Sequence, residues 1–134
     1  MPTITFELSV DDVRVHRRVA KSVSLWLRGQ GVELNHVVTR FVILPIGNVY
    51  SGPFPLAGTA AEPLAYAFAH CVVAHDRDAG FCHALAAQIT RSLQPEVRAD
   101  RVFVRFDPID PARHWTGSEA LGLADKKGEP RERQ

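Results

Sequence analysis

The chain has 134 residues, 16 Lys and Arg against 15 Asp and Glu for a formal net charge of +1, and 46% hydrophobic residues, so one domain is expected, burying about 68–70% of its unfolded surface without staples. Its basic residues are spread out rather than gathered into a face, which argues against nucleic acid as a partner, and no run approaches the roughly 18–20 apolar residues of a membrane helix. No basic segment followed by an apolar one opens the chain, so no signal peptide is expected and a cytoplasmic protein with no membrane partner is.

The first stretch, Met1 to Leu8, alternates: Ile4, Phe6 and Leu8 share one parity and Thr3, Thr5 and Glu7 the other, the period of a strand. A small residue behind an initiator methionine favours trimming of the methionine, which would leave the secondary amine of Pro2 as the first atom of the mature chain. Such an amine titrates at about pH 7.7–8.0 when unperturbed. Burial in an apolar pocket disfavours its cation and lowers that value, which would make a neutral base available at cytoplasmic pH. Taken alone, Met-Pro is equally a tolerated start for an edge strand.

Ser9 followed by Asp12 resembles a helix N-cap with an acidic first turn. Val13, His16, Ala20, Val23 and Leu27 then recur at spacings of three and four, widened by Val19 and Trp26, and predict an amphipathic helix ended by Gly29-Gln30-Gly31. His36 to Leu44, rich in β-branched residues, reads as a buried second strand. Turn residues fill the connection to Pro63. Leu64 to Ala74 is the third strand. A second helix follows, capped by Asp76 or Asp78, with the stripe Phe81, Leu85, Ile89 and Leu93 and a stop at Pro95. Arg101 to Asp107 is the fourth strand, Pro108 to Gly117 a prolyl turn, and residues 122–134 a charged tail expected to be disordered after a single domain over residues 1–121.

The halves match as strand, helix, strand, turn. The expected fold is α+β: two pseudo-repeated βαβ units, each right-handed, forming a four-stranded mixed sheet with two helices on one face. Strands two and three carry apolar residues at both parities, so the other face needs cover as well. Two helices cannot supply it, and an oligomer in which the free sheet faces meet is expected.

Four strings, in order around Pro2, carry a resemblance to a known family. Ala65-Tyr66-Ala67-Phe68-Ala69-His70 looks like the third strand of 5-carboxymethyl-2-hydroxymuconate isomerase, and Thr39-Arg40 sits where that family has a Ser-Arg pair. Asp100-Arg101-Val102-Phe103-Val104 looks like the Asp-Arg-Val-Tyr-Ile strand of macrophage migration inhibitory factor (MIF), and Pro111 to Gly117 is similar to the Pro-x-x-x-Trp/Phe-x-x-Gly turn of 4-oxalocrotonate tautomerase (4-OT). Together they resemble the tautomerase superfamily over residues 2 to about 121. The resemblance implies a tautomerase/MIF-like fold, a homotrimer, no cofactor, and an isomerase that moves a proton between the enol and keto forms of an unsaturated 2-hydroxy or 2-keto acid. Its substrate would be a small carboxylate.

The residues can supply the parts. Pro2 would move the proton. Arg40 and Arg105, on strands two and four, offer guanidinium forks that match carboxylates, and an arginine beside Pro2 would depress the amine further. Phe103 and Trp115 would wall the site, Trp115 in that of a neighbouring subunit as the resemblance implies. Each has a plainer reading: a rim salt bridge for either arginine, core packing for Phe103, a cover over the sheet end for Trp115. His70 reads as a hydrogen-bonded core residue and His114 as solvent-facing. Arg14, Arg17 and Arg18 are alternative counterparts of a helix-one substrate arginine, and the register does not choose among them. Phe103 stands where a tyrosine would supply a phenol, and no acid to activate water stands out, which leans away from dehalogenase and hydratase chemistry. Cys71 and Cys82 belong to no ligand set and read as small hydrophobes, and no histidine spacing suggests a metal. Two other functions fit the same scaffold: decarboxylation or hydration of a small keto or semialdehyde acid, and non-catalytic, MIF-like binding of a partner.

Overall fold

The computed structural model describes residues 2–123; the expected tail, apart from Gly122 and Leu123, lies outside the described residues. Strand β1 (Thr3–Leu8) leads into helix α1 (Val13–Gly29) and strand β2 (Val38–Ile43), and a short hairpin of β3 (Tyr50–Ser51) and β4 (Phe54–Pro55) follows. Strand β5 (Ala67–Ala74), helix α2 (Ala79–Ser92) and strand β6 (Val102–Ile109) repeat the pattern, and a one-turn helix α3 (Gly117–Ala120) comes last. The sheet order is β2-β1-β5-β6, with β1 parallel to β2, β5 parallel to β6 and the two halves joined antiparallel through β1 and β5. This is the expected pair of βαβ units.

Ile4, Phe6 and Leu8 of β1 and Ala67, Ala69, Cys71 and Val73 of β5 point to the helix side and are buried against Val19, Val23 and Leu27 of α1 and Leu85 and Ile89 of α2. Full burial of such aliphatic and aromatic side chains is worth about 1.5–3 kcal/mol each, so this layer supplies most of the driving force for folding. Phe6 also stacks on Phe41 of β2, with ring centroids 5.1 Å apart.

The predicted stripe of α1 is off by part of a turn. Val15 is buried and Val13 is exposed, because Asp12 caps the helix by accepting from the Arg14 backbone N–H at 2.9 Å and so fixes which side of the first turn faces the sheet. Ser9 takes no part in that cap. Its backbone N–H donates to the Tyr66 carbonyl and its hydroxyl accepts from the Tyr66 N–H at 3.0 Å, extending the β1–β5 pairing. Asp78, not Asp76, caps α2, through the Phe81 N–H at 2.8 Å.

The connection read as turns alone holds the β3–β4 hairpin and, after it, the Thr59–Glu62 turn entered through Gly58. That glycine has φ +75°, and a Cβ there would meet the Glu62 carbonyl oxygen at 2.4 Å, so no other residue fits without a shift. The hairpin lays Leu56, which is buried, near the start of β6, where Arg101 Nη1 donates to the Leu56 carbonyl at 3.0 Å. Beside it the fully buried Tyr66 aims its hydroxyl at the Pro45 carbonyl. The prolyl turn is shorter than predicted: Pro108 and Ile109 remain in β6, a 3-10 turn spans Pro111–Arg113, and Thr116 and Glu119 close a capping box on α3.

Among the described residues, the opposite sheet face carries no layer. Val38 and Val42 of β2, Phe68 and Val72 of β5 and Phe103 of β6 lie there among polar side chains, Val38, Val42 and Phe103 counted as exposed.

Candidate active site

The residue ahead of β1 is placed by β2, by the end of β5 with the turn into α2, and by the segment after α1. The Pro2 carbonyl accepts from the Val38 N–H at 3.0 Å, which carries the β1–β2 ladder one residue past Thr3. Proline has no N–H to leave unpaired in return. By parity Pro2 belongs to the helix side with Ile4, and it is buried. Because β5 runs antiparallel to β1 with Val72 opposite Thr3, its end at Val73 and Ala74 comes alongside Pro2, and the turn into α2 brings Arg77 and Phe81. The segment that follows α1, returning to the same edge, adds Gly31, Val32, the exposed Glu33 and His36. These residues line a crevice of about 220 Å³.

Arg77 is the cation of this crevice. It is half-buried, its guanidinium carbon sits 4.5 Å over the centroid of the Phe81 ring, and its side chain makes no hydrogen bond or ion pair among the described residues. Stacking on the ring holds a guanidinium flat and leaves its edge donors free for a carboxylate. His36, half-buried on the other wall, is within electrostatic range of Glu119 of α3. The Thr116 backbone N–H, then the Thr116 hydroxyl, and more weakly the charge of His36 hold the Glu119 carboxyl below the usual glutamate range.

The residues singled out in the sequence are not gathered in one place within a single chain. Pro2 is in the crevice. Arg40 and Arg105 are on the uncovered sheet face, in one row across all four strands: Arg40, Thr5, His70, Arg105. Phe103 is on that face too, stacked on Phe68 at 5.0 Å between centroids and 41% exposed, so it is not core within one chain. Trp115 is 62% exposed, yet its orientation is fixed by its indole N–H, which donates to the Ala112 carbonyl at 3.0 Å. Within a single chain none of these four lines the Pro2 crevice.

Arg14, Arg17 and Arg18 sit in the first turns of α1, about 20 Å of helix from the end that approaches Pro2. Arg14 pairs with Asp12, and Arg18 with Glu96. His70 is hydrogen-bonded as expected but lies outside the core: it pairs with Asp107 across β5 and β6 on the uncovered face. His114 is half-buried rather than solvent-facing, and its Nδ1 is shielded without a hydrogen-bond partner among the described residues. Among the described residues no group of three or more His, Cys, Asp or Glu side chains could hold a metal ion, and no helix is long and apolar enough to cross a membrane.

Arg77, His36 and Phe81 escaped the sequence reading. The signal for Arg77 was its place just beyond the third strand, since pairing that strand antiparallel with β1 puts the turn after it beside Pro2.

No protein-family model matches the sequence, and no curated protein matches it. Solved structures do match its shape. A fused 4-OT described as a wild-type asymmetric trimer superposes with a TM-score of 0.69 at 17% identity, over 90% of this chain and 98% of that one. A malonate semialdehyde decarboxylase inhibited by 3-bromopropiolate gives 0.68 at 16% identity, over 90% and 95%. A MIF-like protein from Entamoeba histolytica gives 0.64 at 14% identity, over 86% and 94%. The chain has the tautomerase/MIF-like fold.

Proposed function

We propose that the chain is a cofactor-independent isomerase that uses the imino group of Pro2, freed by removal of Met1, to move a proton on an unsaturated 2-hydroxy or 2-keto acid. The observation that carries this reading is the crevice itself: Pro2 buried at the head of β1, and lining the same crevice the half-buried Arg77, which stacks on Phe81 and makes no side-chain hydrogen bond or ion pair among the described residues. A guanidinium close to the amine disfavours a second cation there, and burial acts in the same direction, so both effects favour a neutral base near neutral pH. Arg77 would bind the substrate carboxylate. The neutral Pro2 nitrogen would take the enol hydroxyl proton and, as an ammonium, return it to carbon, leaving the 2-keto acid.

The uncovered sheet face supports a homotrimer, as does the description of the fused 4-OT as a trimer. In such an assembly Arg40, Phe103, Arg105 and Trp115, which lie outside the crevice of their own chain, would complete the crevice of a neighbour. Arg40 and Arg105 would hold a second polar group, and Phe103 and Trp115 would exclude water.

Ketonisation of phenylenolpyruvate and 2-hydroxymuconate tests the proposal. Wild type should be active and Pro2→Ala should lose about 10²-fold or more, the scale of a positioned general base; equal rates would end it. Intact mass should show a chain beginning at Pro2. A second reading, decarboxylation or hydration of a small keto or semialdehyde acid, draws on Glu119, a carboxylate kept ionised within range of His36. Carbon dioxide release from malonate semialdehyde, abolished by Glu119→Gln, would favour that reaction over isomerisation.

A further inference from the structure

Spread out along the sequence, the cations of α1 are gathered by the helical period. At about 3.6 residues per turn, Arg14, Arg17, Arg18, Lys21, Leu25 and Arg28 fall within an arc of about 100°, on the side opposite the buried Val15, Val19, Val23 and Leu27. All six are exposed, and the stripe from Arg14 to Arg28 is about 21 Å long. No acid answers them from within the helix: α1 holds five Arg and Lys residues and no Asp or Glu, so Arg14–Arg17, Arg14–Arg18, Arg17–Lys21 and Arg18–Lys21 are all like-charged neighbours. Such pairs weaken a helix, so the pattern does not serve the stability of α1.

From outside the helix Asp12 pairs with Arg14 and Glu96 with Arg18, which leaves Arg17, Lys21 and Arg28 without a side-chain hydrogen bond or ion pair among the described residues. Helix α2 carries no acid either, and its exposed Arg91, next to the Ser92 whose carbonyl Arg18 binds, adds a cation beside the stripe. The acids that bring the net charge down to +1 thus lie outside both long helices. The partner this surface fits is flat and anionic. A straight stripe puts its cations at one depth against a bilayer surface, whereas the phosphates of a nucleic-acid duplex curve away from it. Two apolar side chains share the exposed side, Leu25 between Lys21 and Arg28 at 40% and Val13 near Arg17 at 58%. Aliphatic groups gain from entering a headgroup region and gain little beside a phosphate backbone. Both long helices cover the sheet face opposite the uncovered one, so association through the sheet leaves α1 open.

We infer that the exposed stripe of α1 is a docking surface for a bilayer rich in anionic phospholipid, with Arg17, Lys21 and Arg28 as the cations that hold it. The expectation of no membrane partner rested on the lack of a spanning segment, and a surface contact needs none. The inference is independent of the reading of Pro2.

Vesicle co-sedimentation of the full chain tests it. Vesicles of phosphatidylcholine with about 30% phosphatidylglycerol should carry the protein down at about 0.05 M salt, vesicles of phosphatidylcholine alone should not, and about 0.5 M salt should release it. Lys21→Glu with Arg28→Glu should weaken binding by roughly 25-fold or more, at about fivefold for each cation lost, with an unchanged far-UV spectrum. Lys21→Gln with Arg28→Gln reads the same loss of charge if the reversal disturbs folding, and Lys21→Arg with Arg28→Lys should bind as wild type does. A DNA duplex of about 20 base pairs in the same buffer should bind more weakly than the anionic vesicles. No sedimentation with anionic vesicles, equal sedimentation with neutral ones, binding that persists in the higher salt, or wild-type binding by both charge-removing pairs would overturn the inference. Tighter binding to the duplex than to the vesicles would overturn it in favour of nucleic acid.

Discussion

Arg18 and Glu96, 78 residues apart, are joined by two hydrogen bonds, Nη2 to Oε1 at 2.6 Å and Nη1 to Oε2 at 3.1 Å, while Nε and Nη2 of the same guanidinium donate to the Ser92 carbonyl. This fork ties the first half of α1 to the end of α2 and satisfies a carbonyl that the helix leaves open. Its hydrogen bonds to Arg18 are the main reason that the Glu96 carboxyl lies below the ordinary glutamate range. A carboxyl depressed by folding stabilises the native state above its unfolded pKa, and that stability is lost as pH falls through the folded one. Both side chains are more than a third exposed on average, so solvent screening keeps the pair small. Glu96→Gln should cost about 0.5–1 kcal/mol at neutral pH, and the difference from wild type should vanish in strongly acidic urea titrations.

Phe6 is fully buried and is stacked on Phe41. Phe6→Ala should therefore lower the unfolding free energy by about 3–5 kcal/mol, read from urea denaturation with an unchanged m value.

Arg77→Ala should reduce kcat/KM for ketonisation by roughly 10–100-fold, the cost of one charge-assisted contact to a carboxylate. Arg77→Lys should recover only part of it, because an ammonium cannot present a flat fork while stacked on Phe81. Steady-state kinetics on the two variants would check both statements. A loss confined to KM would assign Arg77 to binding alone.

Val72 is on the uncovered face of β5, opposite Thr3 and next to Asp107 of β6. Val72→Lys should yield a monomer by light scattering with an unchanged far-UV spectrum, and ketonisation should fall by at least about tenfold if neighbours complete the site. A Val72→Lys protein that remains a trimer would refute association through this face.

Burial, with a smaller contribution from nearby Cys82, pushes the Cys71 thiol up to about 12. At pH 8 almost none of it is thiolate, so Cys71 should resist a thiol reagent in the native protein and react only on unfolding. The half-buried Cys82 should label first.

The architecture was legible in the sequence because each half carries its own evidence: alternation in Thr3 to Leu8, a helical stripe ended by Gly29-Gln30-Gly31, and the same again up to Pro95. The phase of α1 was less legible. Val13 and Val15 are both apolar, and only the Asp12 cap decides which faces the sheet. The position of Pro2 at the head of a strand could be read. The place of Arg77 in the same crevice could not, since it depends on the antiparallel meeting of β1 and β5, a long-range pairing that local pattern does not encode. Arg40, Phe103 and Arg105 were placed on strands with the right parity, but parity alone did not separate the crevice of their own chain from the open sheet face.

The internal pseudosymmetry has a chemical limit. The start of β5 is the counterpart of the start of β1, yet there the backbone continues through Tyr66, and the insertion between β2 and β5 seals that end with Leu56, held by Arg101. A mid-chain nitrogen is an amide and cannot accept a proton. On the proposed mechanism a doubled scaffold of this kind would offer one reactive terminus for every two βαβ units, and a three-chain ring would carry three working centres and three blind ones.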